Sequence, residues 1–245
     1  MTMTAGRPAG RRKVGGLLLI LVTVLVLADR VTGTVLYGCP GSNGADLPNG
    51  AHLIVPYGGG RVEVGGVIWV GLPAEGRQPA LVDPLPLTEH DAHHLRELGG
   101  VSLIVVTNSD HVRAAAEIAR EHHARVAGPV AEKATFPIPC DVWLADGDEP
   151  VPGLTVLALS GSKTAGELAL VLEKRTLITG DLVRAHEGGK LCLLPYGKLE
   201  DLEQARASVR RLAALSGIEA VITGDGWPIF RHGAEALAEL AQPPM

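Results

Sequence analysis

Asp83, Asp110, Asp181 and Asp225 each close a short apolar run, and Asp110 is followed directly by His111. Two of these runs end in the same four residues, Ile178-Thr179-Gly180-Asp181 and Ile222-Thr223-Gly224-Asp225. Carboxylates and imidazoles are the side chains that exchange protons and hold cations. One aspartate at the end of a strand is ordinarily a helix cap or a turn residue. Four of them, one beside a histidine, predict a shared site.

The elements that must position these groups follow from the pattern. Leu103-Ile104-Val105-Val106 is too short for a helix and suits a strand buried on both faces. Thr107, Asn108 and Ser109 break the run with side chains that favour turns and helix N-caps. Val112, Ala115, Ala116 and Ala119 then recur at helical spacing. Asp110 and His111 thus fall where a strand hands over to a helix, the edge at which open α/β sheets collect ligands.

The 245 residues suffice for one large α/β domain or two small ones. Hydrophobic residues make up 46% and aromatics only 3%, so the core has to be built from Leu, Val, Ala and Ile. A formal net charge of −5, with no basic stripe beyond the N-terminus, excludes a general nucleic-acid binder. Arg7, Arg11, Arg12 and Lys13 precede residues 14–28, a run without charge that Asp29 ends. As a helix it would span roughly 22 Å, short of the hydrocarbon core of a bilayer. Basic residues, an apolar run and Val26-Leu27-Ala28 fit a secretory signal or a short membrane anchor over residues 1–30. The expected location is therefore membrane-anchored or exported, or cytoplasmic if translation starts further along.

Residues 31–51, rich in Gly, Asn and Pro, read as a linker ahead of one domain over 52–245. That domain should open with an antiparallel meander over 52–55, 61–64 and 67–70. A helix over 87–98 carries His90 and His94 on one face, which reads as a solvated polar face, as do His122 and His123. Strands are expected at 125–127, 141–144 and 154–159, a hairpin at 167–172 and 176–179, and helices around 202–212 and 233–240. The order predicts a layered α/β fold with mixed sheets rather than a doubly wound parallel sheet. Loops are expected at 44–60, 129–140 and 184–198. Cys39, Cys140 and Cys192 show no metal-ligand spacing and no disulfide framework. Neither a Gly-x-Ser-x-Gly elbow nor a phosphate loop is present.

From about Val67 onward the chain resembles the metallo-β-lactamase superfamily. The marks are Val82-Asp83-Pro84, Thr107 through His111, Lys163-Thr164-Ala165-Gly166, Thr179-Gly180-Asp181 and Gly224-Asp225-Gly226. The resemblance implies an αββα sandwich with a metal site along one edge of two mixed sheets, and hydrolysis by a metal-bound hydroxide. The departures are equally specific. The family's His-x-His-x-Asp-His is here Thr107-Asn108-Ser109-Asp110-His111, its Gly-His-Thr-Pro-Gly is Ser162-Lys163-Thr164-Ala165-Gly166, and its last ligand histidine is Asp225. All three ligands of the first metal are missing. Asp110, His111, Asp181 and Asp225 remain as candidate ligands of one metal.

Three carboxylates converging with His111 would be costly without a cation. Lys163 supplies one positive charge about where the first metal would sit. One divalent ion (Zn, Mn, Fe or Mg) beside Lys163 is the first reading. In the second, no metal binds and Lys163 pairs with Asp181. A mononuclear hydrolase would cleave an ester, thioester, amide or phosphoester, with Asp110 orienting water and Lys163 stabilising an oxyanion. A silent member of the fold would bind a small anion or a partner protein through the same cleft. Asn108, Thr164 and Asp83 could serve either. Neither the substrate nor the oligomeric state is legible in the sequence.

Overall fold

The computed structural model describes residues 80–97 and 100–242, and the backbone of four earlier strands, β1 (Thr34–Tyr37), β2 (Ala51–Gly58), β3 (Arg61–Val62) and β4 (Val67–Trp69). The apolar segment 14–28 lies outside the described residues, as do the side chains of His90 and His94. Among the described residues no helix is long and apolar enough to cross a membrane.

Two mixed sheets form the centre. In the first, β1, β2 and β4 run antiparallel into β5 (Ala80–Val82), with β3 hydrogen-bonded to β2. Beyond β5 the pairing turns parallel through β6 (Leu103–Val105), β7 (Arg125–Pro129) and β8 (Val142–Leu144). The second sheet is built from β9 (Leu154–Leu159), β10 (Glu167–Leu172), β11 (Thr176–Thr179) and β14 (Ala220–Thr223), in the order β14-β11-β10-β9. Between β11 and β14 in sequence lies a separate hairpin of β12 (Val183–Glu187) and β13 (Lys190–Leu193).

The layering follows from strand periodicity, since successive side chains face opposite sides of a sheet. Ala80, Val82, Leu103 and Val105 face inward and meet Leu168, Leu170, Leu172 and Ile222 of the second sheet in one buried cluster. The alternate residues Leu81 and Ile104 face outward onto Leu95 of α1 (Glu89–Glu97) and Ile118 of α2 (Ala115–His122). On the far side, Ala169, Val171 and Val221 pack on Val209 and Leu212 of α3 (Leu202–Ala213) and Leu237 of α4 (Gly233–Leu240). Helix, sheet, sheet, helix is the αββα order that the resemblance implied.

Several elements depart from the sequence reading. Thr34–Tyr37, inside the stretch read as linker, is a strand paired antiparallel with β2; Thr-Val-Leu-Tyr is β-branched and aromatic enough to be one. The expected loop over 184–198 contains the β12–β13 hairpin instead. Its sequence does carry strand signals, since Val183-Arg184-Ala185-His186 alternates apolar and polar, Leu191-Cys192-Leu193 is apolar, and Gly188-Gly189 between Glu187 and Lys190 supplies the two-residue turn. The helix expected directly after His111 begins later, because Ser109–His111 form a 3-10 turn first. Its N-cap is Asn108, whose side-chain oxygen accepts from the Asp110 amide at 3.0 Å.

Candidate functional site

The site lies where β5, β6, β11 and β14 end together. Parallel pairing of β11 with β14 sets Ile178 against Ile222 and Thr179 against Thr223, so the two Ile-Thr-Gly-Asp copies lie side by side and leave the sheet in step. Glycine is needed in both because the neighbours are close. A Cβ on Gly180 would stand 2.8 Å from Thr107 Oγ1, and one on Gly224 2.9 Å from His111 Cε1.

Asp83 organises the buried end. Its carboxylate accepts from the Thr107 amide at 2.7 Å, from the Thr107 hydroxyl at 2.6 Å and from His111 Nδ1 at 2.8 Å. The other ring nitrogen of His111, Nε2, stands 3.5 Å from Asp181 Oδ2. The imidazole is thus held between two carboxylates. Burial pushes it down, but the charge of Asp83 and the hydrogen bonds to Asp181 and Asp83 outweigh burial and raise it to about 9. At neutral pH both ring nitrogens therefore carry protons.

At the open end, Lys163 Nζ lies 2.6 Å from Asp110 Oδ2 and 3.2 Å from Asp181 Oδ2. Burial lowers the ammonium, yet its bonds and charge interactions with Asp110 and Asp181 more than reverse that. Asp181 is pushed up by burial, but His111 and then Lys163 hold it well below the usual carboxylate range. Asn108, fully buried, adds a 3.5 Å contact from Nδ2 to Asp181.

Two buried glutamates fix the loops that carry these groups. Glu132 accepts from the Ser109 amide at 2.6 Å and the Gly166 amide at 3.1 Å. Glu167 receives the Ser162 hydroxyl at 2.5 Å and the Leu182 amide at 2.9 Å. Each glutamate joins the Lys163 loop to a residue next to one of its aspartates, Asp110 or Asp181. Burial raises Glu167 to about 7 against the lowering effect of those two hydrogen bonds. Arg113, at φ +37°, spans the sheets by donating to the Asp83 carbonyl at 3.1 Å and the Gly224 carbonyl at 3.3 Å.

A family model described as the metallo-β-lactamase superfamily matches residues 60–243. The chain belongs to the metallo-β-lactamase superfamily. No curated protein sequence matches it. Among solved structures it is similar to the DIM-1 metallo-β-lactamase, with a TM-score of 0.61 at 20% identity over 80% of this chain and 95% of that one. It is also similar to FIM-1 from Pseudomonas aeruginosa in its mono-zinc form, with a TM-score of 0.60 at 15% identity over 80% and 93% of the two chains. A metallo-β-lactamase from Hirschia baltica gives a TM-score of 0.59 at 15% identity, covering 81% and 97%. At these identities the likeness establishes the fold.

Superfamily members typically work with zinc, and the donors present here do not fit such an ion. Among the described residues no group of three or more His, Cys, Asp or Glu side chains is arranged to hold a metal. The reasons are local. Lys163 Nζ occupies the space between Asp110 and Asp181, and both nitrogens of His111 are engaged by carboxylates. Asp225 is turned away from this group. Its carboxylate forms an ion pair with Arg184 of β12, with His186 Nε2 at 3.6 Å.

Of the residues singled out in the sequence, Asp83, Asn108, Asp110, His111, Lys163 and Asp181 meet in one network, and Asp225 stands beside it with a partner of its own. The Thr164 hydroxyl donates to the Gly166 carbonyl at 2.9 Å, which is turn chemistry within its own loop. Sequence reasoning missed Glu132, Glu167, Arg113 and Arg184. Glu167 left a signal, a lone charge opening the six-residue strand Glu-Leu-Ala-Leu-Val-Leu, all of it buried. Arg184 lay in a segment read as loop, and nothing in the local pattern marks Glu132 or Arg113.

Proposed function

We propose that this domain is a metal-independent member of the superfamily that binds a small anion in its cleft rather than hydrolysing through a metal-bound hydroxide. One observation carries the reading: the Lys163 ammonium bridges Asp110 and Asp181 at 2.6 and 3.2 Å. A fixed cation between two carboxylates does electrostatically what a metal would do, and it fills the space between them where an ion would sit. An ammonium has three donors. Two go to the aspartates, and with the side chain 32% exposed the third is available to an anion entering the cleft. Asn108 and Asp83 then serve as supports rather than as ligands.

A second reading rests on the gathering of Asp110, His111 and Asp181. If a single divalent ion displaced Lys163, Asp110, which is 47% exposed, could orient a water for hydrolysis. Elemental analysis of full-length protein purified without chelators decides between the two. Substoichiometric zinc, manganese and iron, with phosphate binding that is lost in Lys163→Met, supports the first. One tightly held ion per chain, with ester, thioester or phosphoester hydrolysis abolished by its removal, overturns it. We further propose that residues 14–28 direct the chain to a membrane, and recovery of the intact chain wholly in the soluble fraction would refute this.

A further inference from the structure

The described residues contain a second feature suited to a ligand, on the helix layer outside the second sheet. A cavity of about 600 Å³ opens between β13, α3 and α4. This lies within the range of small-molecule pockets. It shares no lining residue with the Lys163 network. Its floor is aliphatic, formed by Leu191, Leu193, Val209 and Leu240. Of these, Leu191, Leu193 and Leu240 are only partly buried by the core beneath them.

The polar groups stand at the rim and are unevenly matched. Lys190 is held by Glu187 at 2.8 Å and is attracted more weakly by Glu239, also on the lining, while Arg206 is held by Glu203 at 3.0 Å. Arg206 also lies over the exposed ring of Tyr196, 6.0 Å from its centroid. Arg210, one turn further along α3 on the same wall, has no acidic partner among the described residues. An aliphatic trough with one uncommitted guanidinium at its edge complements a molecule with an apolar body and a single negative head. We infer that the cavity between β13, α3 and α4 is a binding site for a single-chain aliphatic carboxylate, its chain on the leucines and its head on Arg210.

The test uses the full-length protein and dodecanoate below its micelle concentration, followed by calorimetry and by iodoacetamide labelling of Cys192, which lines the cavity. Cys140 serves as an internal control, with each site read by mass spectrometry. Expected are one saturable site for dodecanoate, selective protection of Cys192, and affinity about tenfold weaker in Arg210→Gln, the value of a charged hydrogen bond. Acetate should give neither signal. Leu193→Trp, which fills the trough from within, should abolish binding while melting near the wild-type temperature. The inference is overturned if dodecanoate does not saturate, if dodecyltrimethylammonium binds equally well, or if Arg210→Gln binds like wild type. Binding confined to anionic vesicles, with none to monomeric dodecanoate, would also overturn it and point to a lipid surface.

Discussion

Replacing Lys163 by methionine removes the one cation among the described residues that touches both Asp110 and Asp181, while keeping most of the aliphatic stem. Removing one partner of a fully buried ion pair costs about 3–5 kcal/mol. The pair here is not fully buried, since Lys163 is 32% and Asp110 47% exposed, while Asp181 is only 8% exposed. The Asp110 contact is therefore worth little, and the cost comes from leaving Asp181 with His111 and Asn108 alone. Discounted for solvent, the expected loss is about 2 kcal/mol. For a domain of this size that lowers the melting temperature by roughly 4–8 °C. Thermal melts of wild type, Lys163→Met and Lys163→Arg, each with EDTA and with added zinc or manganese, provide the assay. Lys163→Arg should recover most of the loss because the charge remains. Lys163→Met should become metal-responsive, since it leaves Asp110 and Asp181 without the ammonium between them. Superimposable melts for all three proteins under all conditions would refute the argument that Lys163 holds the site together.

The pH dependence of stability should run downhill from acid to alkali over the windows of two buried groups. His111 is raised from 6.5 to about 9, so its contribution is complete below pH 6.5 and is lost as pH rises through 9; its upper bound is about 3 kcal/mol. Glu167 is raised from 4.5 to about 7, so the folded chain holds a proton that the unfolded chain releases, and stability is lost as pH rises from 4.5 through 7. Denaturant titrations across this range should show Glu167→Gln flattening the acid half and His111→Gln the alkaline half; curves parallel to wild type would refute both assignments. Gly180→Ala and Gly224→Ala should each cost about 1–3 kcal/mol, because the new Cβ would lie 2.8 Å from Thr107 Oγ1 or 2.9 Å from His111 Cε1. Chemical denaturation measures this, and near-neutral values would mean that the strand ends are looser than described. By contrast, Arg175→Ala should change stability by less than about 1 kcal/mol, because its pair with Glu219 is half exposed on both sides.

The layered fold was legible because burial on both sheets writes itself into the sequence. Leu154–Leu159, the hairpin of β10 and β11, and α4 stand at the expected residues since each is bounded by turn-forming or charged residues. The site was legible only as a set of candidates. Strand-end aspartates and one histidine can be read from spacing, but the direction in which a carboxylate turns depends on neighbours remote in sequence. Asp181 and Asp225 end identical tetrapeptides, yet one meets Lys163 and the other Arg184. The bridge from Ala185 of β12 to residues 225–227 decides that, a pairing between segments some forty residues apart that local spacing does not announce. Glu132 escaped for a similar reason. Its role exists only through the amides of Ser109 and Gly166, far from it in sequence.

The bridge from Lys163 to Asp110 and Asp181 also bears on how such a cleft comes to completion. A centre that recruits an ion waits on supply, and starvation or a chelator can leave it unfinished. Here the counter-charge arrives on the same chain as the carboxylates it neutralises. On the metal-independent reading proposed above, the cleft is finished at whatever zinc level the surroundings offer. Its vulnerability lies in the salt and alkalinity around it, which weaken ion pairs and imidazolium bonds without any ion being withdrawn.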